Sequence, residues 1–561
     1  MATIQKVCKK CGNAFNIEDV DMEFYSKVSP VFNGIKYAVP SPNFCPECRW
    51  IRRASHRNFR KLYHRKSDFS GAQMISIYSS DKPFKVYSLP EWWSDRWNAL
   101  QYGRDFDFNR PFFEQFQELY NAVPKSSVNV SNSENCTYTN QSYGSQNCYL
   151  VFGNIENQDS FYSHILWYSK NCFDMLYSYS CEKCYECVDC ERCYECKLCT
   201  DSTSCSSSSY LSNCRNCRSC LGCVNLVNKE FYVLNTPYAK DEYEAILSSL
   251  KDPNVLLDFI QKFNQLRLGL PHVDCISHQC EEVSGNHLFN SHACFDSFDL
   301  LNSENCRFCL TGGNFKDCYD CMYNGAGQEL SLEALSVIGY HNLFCKDVMG
   351  SSSNLLYSAG CSSVHNCFGC AGLHQKEQYC ILNKQYSKEE YEKLVPQIIE
   401  HMQKTGEWGE FFPVDMSAFG YNESIAYDYY PYSKEDAVKN GFNWYDLPKE
   451  ALECEYQGDY YKNDLPINEV PDSVINRILL CSVSGKAYKI LPQELAFYKS
   501  MDIQIPNKCP DVRHMERMAR RNPRKLWERK CGNCGKEIRS SYALDRPEIV
   551  YCNDCYLKTI Y

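Results

Sequence analysis

The feature that most restricts what this chain can fold into is a pair of CxxC knuckles at each end. Cys8, Cys11, Cys45 and Cys48 form one set, and Cys531, Cys534, Cys552 and Cys555 the other. Two knuckles meeting on one ion supply the four thiolates that tetrahedral zinc takes, at about 2.3 Å each. A redox CxxC stands alone instead of meeting a second pair. Neither set has a histidine at ligand spacing or leaves a ligand position open. The motifs therefore imply two structural Zn2+ ions. Gly12 and Gly535 follow the knuckles, where a tight turn frees backbone amides to face sulfur.

The two ends are copies of one another. Cys45 to Trp92 aligns with Cys509 to Tyr556 without a gap, CPECRWIRRASHRNFRKLYHRK against CPDVRHMERMARRNPRKLWERK. Upstream, CKKCGNAFNI matches CSVSGKAYKI, and both continue to a Phe-Tyr pair at 24–25 and 497–498. Each end thus carries two potential sites in series, and the copies have lost opposite halves. The front copy has Ser67, Ser70, Ser88 and Glu91 where its second site needs cysteines. The back copy keeps only Cys481 and Cys509 of its first site, with Ser484 and Val512 at the other two positions.

A helix starting at the second CxxC pair gives each module a treble-clef character. On it Arg49, Arg53, Arg57 and Arg60 fall within about 80° of one another at 100° per residue. Arg513, Arg517, Arg521 and Arg524 take the same places at the back, where Pro523 is expected to kink or end the helix. Clustered arginines on a rigid module suit phosphate contacts, and Phe59, Tyr63 and Trp527 could stack on bases. The competing reading is that this face pairs with the protein's own acidic residues, of which there are 69.

The chain has 38 cysteines, most of them between about Val128 and Gln385. There it breaks into units of twelve or nine residues, such as QNCYLVFGNIEN and ERCYECKLCTDS. Short regular units rich in Tyr, Ser, Asn and Cys predict stacked β-coils, a right-handed β-solenoid, with asparagines laddering at turns. The block occurs twice. RNCRSCLGC…YVLNTPYAKDEYEAIL corresponds to HNCFGCAG…YCILNKQYSKEEYEKL, each ending in a helix near Lys240 or Lys388, the second capped by Ser387 and Glu390. The densest run, Cys181, Cys184, Cys187, Cys190, Cys193, Cys196 and Cys199, matches metal-cluster spacing. It also matches buried reduced thiols repeating on one side of a coil, the favoured reading.

At 561 residues the chain exceeds one core. The expected organisation is a tandem zinc-ribbon module over 1–105, a helical linker over 106–127, cysteine-rich repeat A over 128–237 and a helix over 238–271. Repeat B follows over 272–385, then a helix over 386–405, an aromatic and acidic linker over 406–476, and the back tandem module over 477–561. The fold class is multidomain α+β, with duplicated zinc-ribbon/treble-clef modules flanking a duplicated cysteine-rich β-solenoid-like region with helices. Net charge is −10. No apolar run is long enough to cross a membrane, and Met1–Lys10 is polar, so a cytoplasmic protein with reduced thiols is expected. There is no Walker A loop, HExxH or nucleophile elbow, so no catalytic residue is assigned and an enzyme is least expected. Three functions compete: nucleic-acid binding through the arginine faces, with RNA favoured; a protein-interaction scaffold using the solenoid surface; and a thiolate metal store or redox protein.

With these residues assembled, the chain resembles a family of uncharacterised bacterial zinc-ribbon proteins with cysteine-rich central repeats. The likeness rests on CPECR…RNFRKLYHRK, SDKPFKVY…WWSDRW…YGRDFDFNRPFFEQF, GEFFPVDMSAFGYNES and NPRKLWERKCGNCG…RPEIVYCNDCY, and spans nearly the whole chain. In similar proteins the second front ribbon keeps its cysteines, and Ser67, Ser70, Ser88 and Glu91 depart from that pattern. The resemblance implies the architecture and brings no activity with it.

Overall fold

The computed structural model describes residues 3–182, 185–186, 197–324, 327–447, 456, 458–463 and 465–560. It is a mixed α/β structure, with twelve α-helices among the described residues. The chain divides into two compact units. One comprises Met1–Val130, Pro271–Trp444 and Pro523–Leu557, and the other Ser131–Leu270, Tyr445–Asn522 and Lys558–Tyr561.

In the second unit, strands Asn140–Tyr143, Phe152–Ile155, His164–Trp167 and Leu176–Tyr179 pair in parallel. Their registers step by one turn of chain: Asn140 opposite Phe152, Phe152 opposite His164, His164 opposite Leu176. The first unit holds a fourteen-stranded sheet built the same way, with Cys294 opposite Cys306 and Cys306 opposite Cys318. One residue in three along these runs is left-handed, for example Asn135, Tyr138 and Gln141 at φ 52°, 53° and 56°. That conformation costs roughly 1–2 kcal/mol for a non-glycine residue. Asparagines tolerate it best, and they ladder between successive turns. Asn147 donates to Asp159 at 2.8 Å, Asn216 to Asn228 at 2.6 Å and Asn354 to Asn366 at 3.0 Å.

The inward positions explain the cysteine content. Cys172 Sγ donates to the Lys170 carbonyl at 3.2 Å and also lies 3.4 Å from the Cys181 carbonyl nine residues on. Serines at matching places do the same: Ser160 Oγ donates to the Gln158 carbonyl at 3.0 Å and accepts from the Cys172 amide. A small side chain with one donor adds a second hydrogen bond to a turn carbonyl that already accepts a backbone amide, as the Gln158 carbonyl does from Asn171 at 3.0 Å. Of the dense cysteine run, Cys181 and Cys199 are described, and both are buried. Cys184, Cys187, Cys190, Cys193 and Cys196 lie outside the described residues.

Helices close each run. Lys240–Ser249 and Lys388–Thr405 begin where the sequence places them, and Ser387 with Glu390 forms the expected capping box. In the first unit the helix Phe112–Ala122 seats Phe112 over Gly369, where a β-carbon would come within 2.7 Å of the ring. In the second, the helix Pro253–Gly269 seats Phe259 over Gly222, where the same distance is 2.5 Å. The aromatic segment after Thr405 packs against the front helix: Trp50 meets Tyr429 edge-on at 5.2 Å, and the Ile425 amide donates to the Arg57 carbonyl at 2.9 Å.

Candidate metal centres and their docking surfaces

Both complete cysteine sets converge, and both lie in the first unit. Cys8, Cys11, Cys45 and Cys48 bring all their sulfurs within 4.8 Å of one another, as do Cys531, Cys534, Cys552 and Cys555. The contacts Cys11–Cys45 at 3.7 Å and Cys534–Cys552 at 3.8 Å match the edge, about 3.8 Å, of a tetrahedron with sulfur at about 2.3 Å from its centre. Gly12 and Gly535 are left-handed at φ 77° and 73°. The Cys552 amide donates to Cys531 Sγ at 3.2 Å. Burial raises the Cys531 thiol, but donors from Cys534, Cys552 and Asn533 outweigh it and bring it down to about 6. A sulfur held as thiolate by backbone donors is prepared for a metal ion. The donor set therefore fits a closed four-sulfur site, in which every position is filled by protein. Among the described residues these are the two groups with that geometry.

The helices predicted after the second knuckle are present, at Pro46–Ala54 and Pro510–Arg520, each opened by proline at its first position. The back one stops before Pro523, with Arg521 already extended. Their arginines do not form the exposed stripe expected for nucleic acid, and this is a correction to that expectation. Arg49, Arg53 and Arg57 are 1%, 0% and 3% exposed, and Arg513, Arg517 and Arg521 are 3%, 0% and 8%. Arg60 is half-buried beside them. Arg524, 5% exposed along its side chain, is held by Asp299 at 2.6 Å.

Each helix turns its arginines onto a coil, and the two units use the same device. In the first, Arg49 Nε donates to Asp320 Oδ2 at 3.0 Å and Arg53 Nη2 to Oδ1 at 2.9 Å. Arg53 also reaches Glu333 at 2.6 Å, and Arg57 reaches Asp347 at 2.7 Å. In the second unit, Arg513 and Arg517 hold the two oxygens of Asp174 at 2.6 and 2.7 Å. Arg49 lies over the Phe308 ring at 5.1 Å and Arg513 over the Tyr162 ring at 4.8 Å. Phe24 stacks on Tyr319 at 3.8 Å, and Phe497 stacks on Phe173 at 3.8 Å. Arg521 lies over Tyr177 at 3.7 Å. Burial pushes the Asp320 carboxyl up, but the flanking guanidiniums of Arg49 and Arg53 outweigh it and hold it below the usual carboxylate range.

The acids that complete these surfaces carried no motif of their own in the sequence. A signal was nonetheless there. Asn171-Cys172-Phe173-Asp174 and Asp317-Cys318-Tyr319-Asp320 repeat an aromatic-Asp step in the two coil runs, as the arginines repeat in the two modules.

No protein-family model matches the chain, and no curated protein matches it. Among solved structures, it is similar to a crystal structure described as an acetyltransferase from Desulfovibrio desulfuricans G20. That likeness has 8% identity over 46% of this chain and 68% of that one, at a TM-score of 0.10, and carries no argument. Among the described residues, no helix is long and apolar enough to cross a membrane.

Proposed function

We propose that this chain is a zinc-stabilised scaffold for protein partners. In this reading the coil runs are the two halves of a duplicated solenoid, and each terminal module clamps a half through its arginines. The observation that carries it is the burial of the arginine faces on Asp174, Asp320, Glu333 and Asp347. A guanidinium already paired inside the protein is not offered to a phosphate, so the strongest argument for nucleic-acid binding becomes an argument for internal docking. The resemblance to zinc-ribbon proteins with cysteine-rich repeats belongs to the same reading, as does zinc as the metal of the two four-cysteine sites.

A surface for such a partner lies on the helices Lys240–Ser249 and Pro253–Gly269. Leu247, Val255, Leu257 and Leu268 are 45%, 40%, 58% and 38% exposed there. The place of Leu247 in the other half is taken by Val395, which is fully buried. Exposed apolar side chains concentrated on one pair of helices are the kind of surface a protein partner covers.

The deciding experiment measures binding of the zinc-loaded protein to a structured RNA, a single-stranded RNA and a DNA duplex across a salt series. Weak binding with a shallow salt slope is expected. The Arg53→Ala/Arg517→Ala variant should lower the unfolding midpoint and leave that weak binding unchanged. Tight binding with a steep slope that this variant abolishes would overturn the scaffold reading and restore RNA as the partner.

A further inference from the structure

The second half of the front module has the fold of a metal knuckle without a single sulfur ligand. Strands Tyr63–Lys66 and Gln73–Ser76 pair with Tyr63 opposite Ser76 and Lys66 opposite Gln73. In the intact back site, Trp527 stands opposite Ser540 and Lys530 opposite Glu537, the same register. The turn between them also agrees. Ser67 N donates to Ala72 O at 2.9 Å and Gly71 N to Ser67 O at 2.9 Å; Cys531 N donates to Lys536 O at 2.8 Å and Gly535 N to Cys531 O at 3.0 Å. Gly71 is left-handed at φ 76°, as Gly535 is at 73°. The helix that follows starts identically, with Trp92 N on Ser88 O and Tyr556 N on Cys552 O, both at 2.9 Å. Even the short strands before it match: Val86–Tyr87 adds in parallel to Lys125–Ser126, and Val550–Tyr551 to His272–Val273.

Ser67, Ser70, Ser88 and Glu91 therefore stand where the metal-site fold places Cys531, Cys534, Cys552 and Cys555. Their side chains converge as the thiols do. The Glu91 carboxylate accepts from the Ser67 hydroxyl and from the Ser88 amide, the latter at 2.9 Å. The hydroxyls of Ser70 and Ser88 complete its ring of donors. Glu91 and Ser67 are 7% and 3% exposed, Ser88 is half-buried and Ser70 is exposed, so the carboxylate itself is covered while one corner stays open to water. In a zinc knuckle a central cation draws four anions together. Here one anion at a corner draws in donors from the other three, and the corners are joined without an ion between them.

We propose that Glu91 takes the place of the metal ion in this half of the front module, so that residues 63–92 form a knuckle closed by hydrogen bonds alone. This site needs no ion because its single negative charge is stabilised by neutral hydrogen-bond donors, whereas four thiolates on one centre are stable only around a cation.

The test uses full-length protein and two independent readouts. Metal content after loading with zinc alone, and separately with calcium or magnesium alone, is expected to give two zinc ions and no additional ion of either other metal. The Ser67→Cys/Ser70→Cys/Ser88→Cys/Glu91→Cys variant is expected to take up a third zinc. Glu91→Ala is expected to keep both zinc ions while the amides of Ser67, Gly71, Ser88 and Trp92 exchange at least tenfold faster. A third ion in the wild-type protein would overturn the proposal, as would unchanged exchange in Glu91→Ala. So would a folded four-cysteine variant, judged by wild-type exchange elsewhere, that still holds two ions.

Discussion

Asp320 and Asp174 each accept two arginines from one helix, four residues apart, so that each guanidinium takes one carboxylate oxygen. A carboxylate this deeply buried is tolerable only because both lone-pair sectors are filled by charged donors. Removing it takes a shared counter-charge from two buried cations, with Glu333 left to Arg53 and Glu494 to Arg513, and breaking a buried pair in this way typically costs about 3–5 kcal/mol. Asp320→Ala is therefore expected to destabilise the first unit, and Asp174→Ala the second, by about that amount in urea unfolding followed by unit-specific hydrogen exchange. A second residue-level prediction concerns Lys346. It is 2% exposed, donates to His56 Nδ1 at 3.1 Å and lies over the rings of Tyr120 and Phe412, with Asp347 beside it and Arg57 paired to that acid. Burial lowers its ammonium to about 8, against a usual value of 10.5. Between those values the unfolded chain binds a proton that the folded one does not, so stability rises with pH across that window. The slope is at most about 1.4 kcal/mol per pH unit. Lys346→Met should remove this rise, read as the difference between the two proteins' urea midpoints from pH 7 to 10.

At the level of elements, the coil explains why cysteine and serine alternate at inward positions, since either donates to the carbonyl two residues before it. Cys172→Ser should then change stability by less than about 1 kcal/mol, whereas Cys172→Leu should overpack the interior and cost about 1–3 kcal/mol in the same unfolding assay. Much of this level was legible in the sequence. The knuckles, the helices beginning at Pro46 and Pro510, the helices near Lys240 and Lys388 and the asparagine ladders follow from spacing, proline placement and turn chemistry, all of which are local. The direction in which the arginine helices face was not. A stripe of Arg49, Arg53, Arg57 and Arg60 is the same pattern whether it meets phosphate or carboxylate, and Asp320 is 271 residues from Arg49. What distinguishes the two cases is a tertiary partner, and in sequence Asp320 looks like an ordinary turn residue, as its left-handed φ of 57° confirms.

For the whole molecule, the two four-sulfur sites and the docking acids make different contributions to order. Inductively coupled plasma mass spectrometry should find two zinc ions per chain, and Cys48→Ser should lose one of them. Chelation should loosen the knuckles at 8–48 and 531–555 while the coil strands stay protected from exchange, because their hydrogen bonds run from turn to turn and involve no metal. Asp174→Ala should show the reverse, with both ions kept and the second unit weakened.

The twelve-residue step between paired strands in the second unit has one more consequence. Because Phe152 sits over Asn140 and His164 over Phe152, the chain is dispensed in whole turns, each advancing one strand spacing of about 4.8 Å. An insertion of one full unit lengthens such a stack without rotating anything beyond it, whereas an odd residue has to be absorbed locally, as in the first unit, where Phe315 pairs Gln328 and His365 pairs Gln378 across thirteen residues. Whole units are thus the increments that such a stack takes up with least local repair, like a ruler lengthened at its marks.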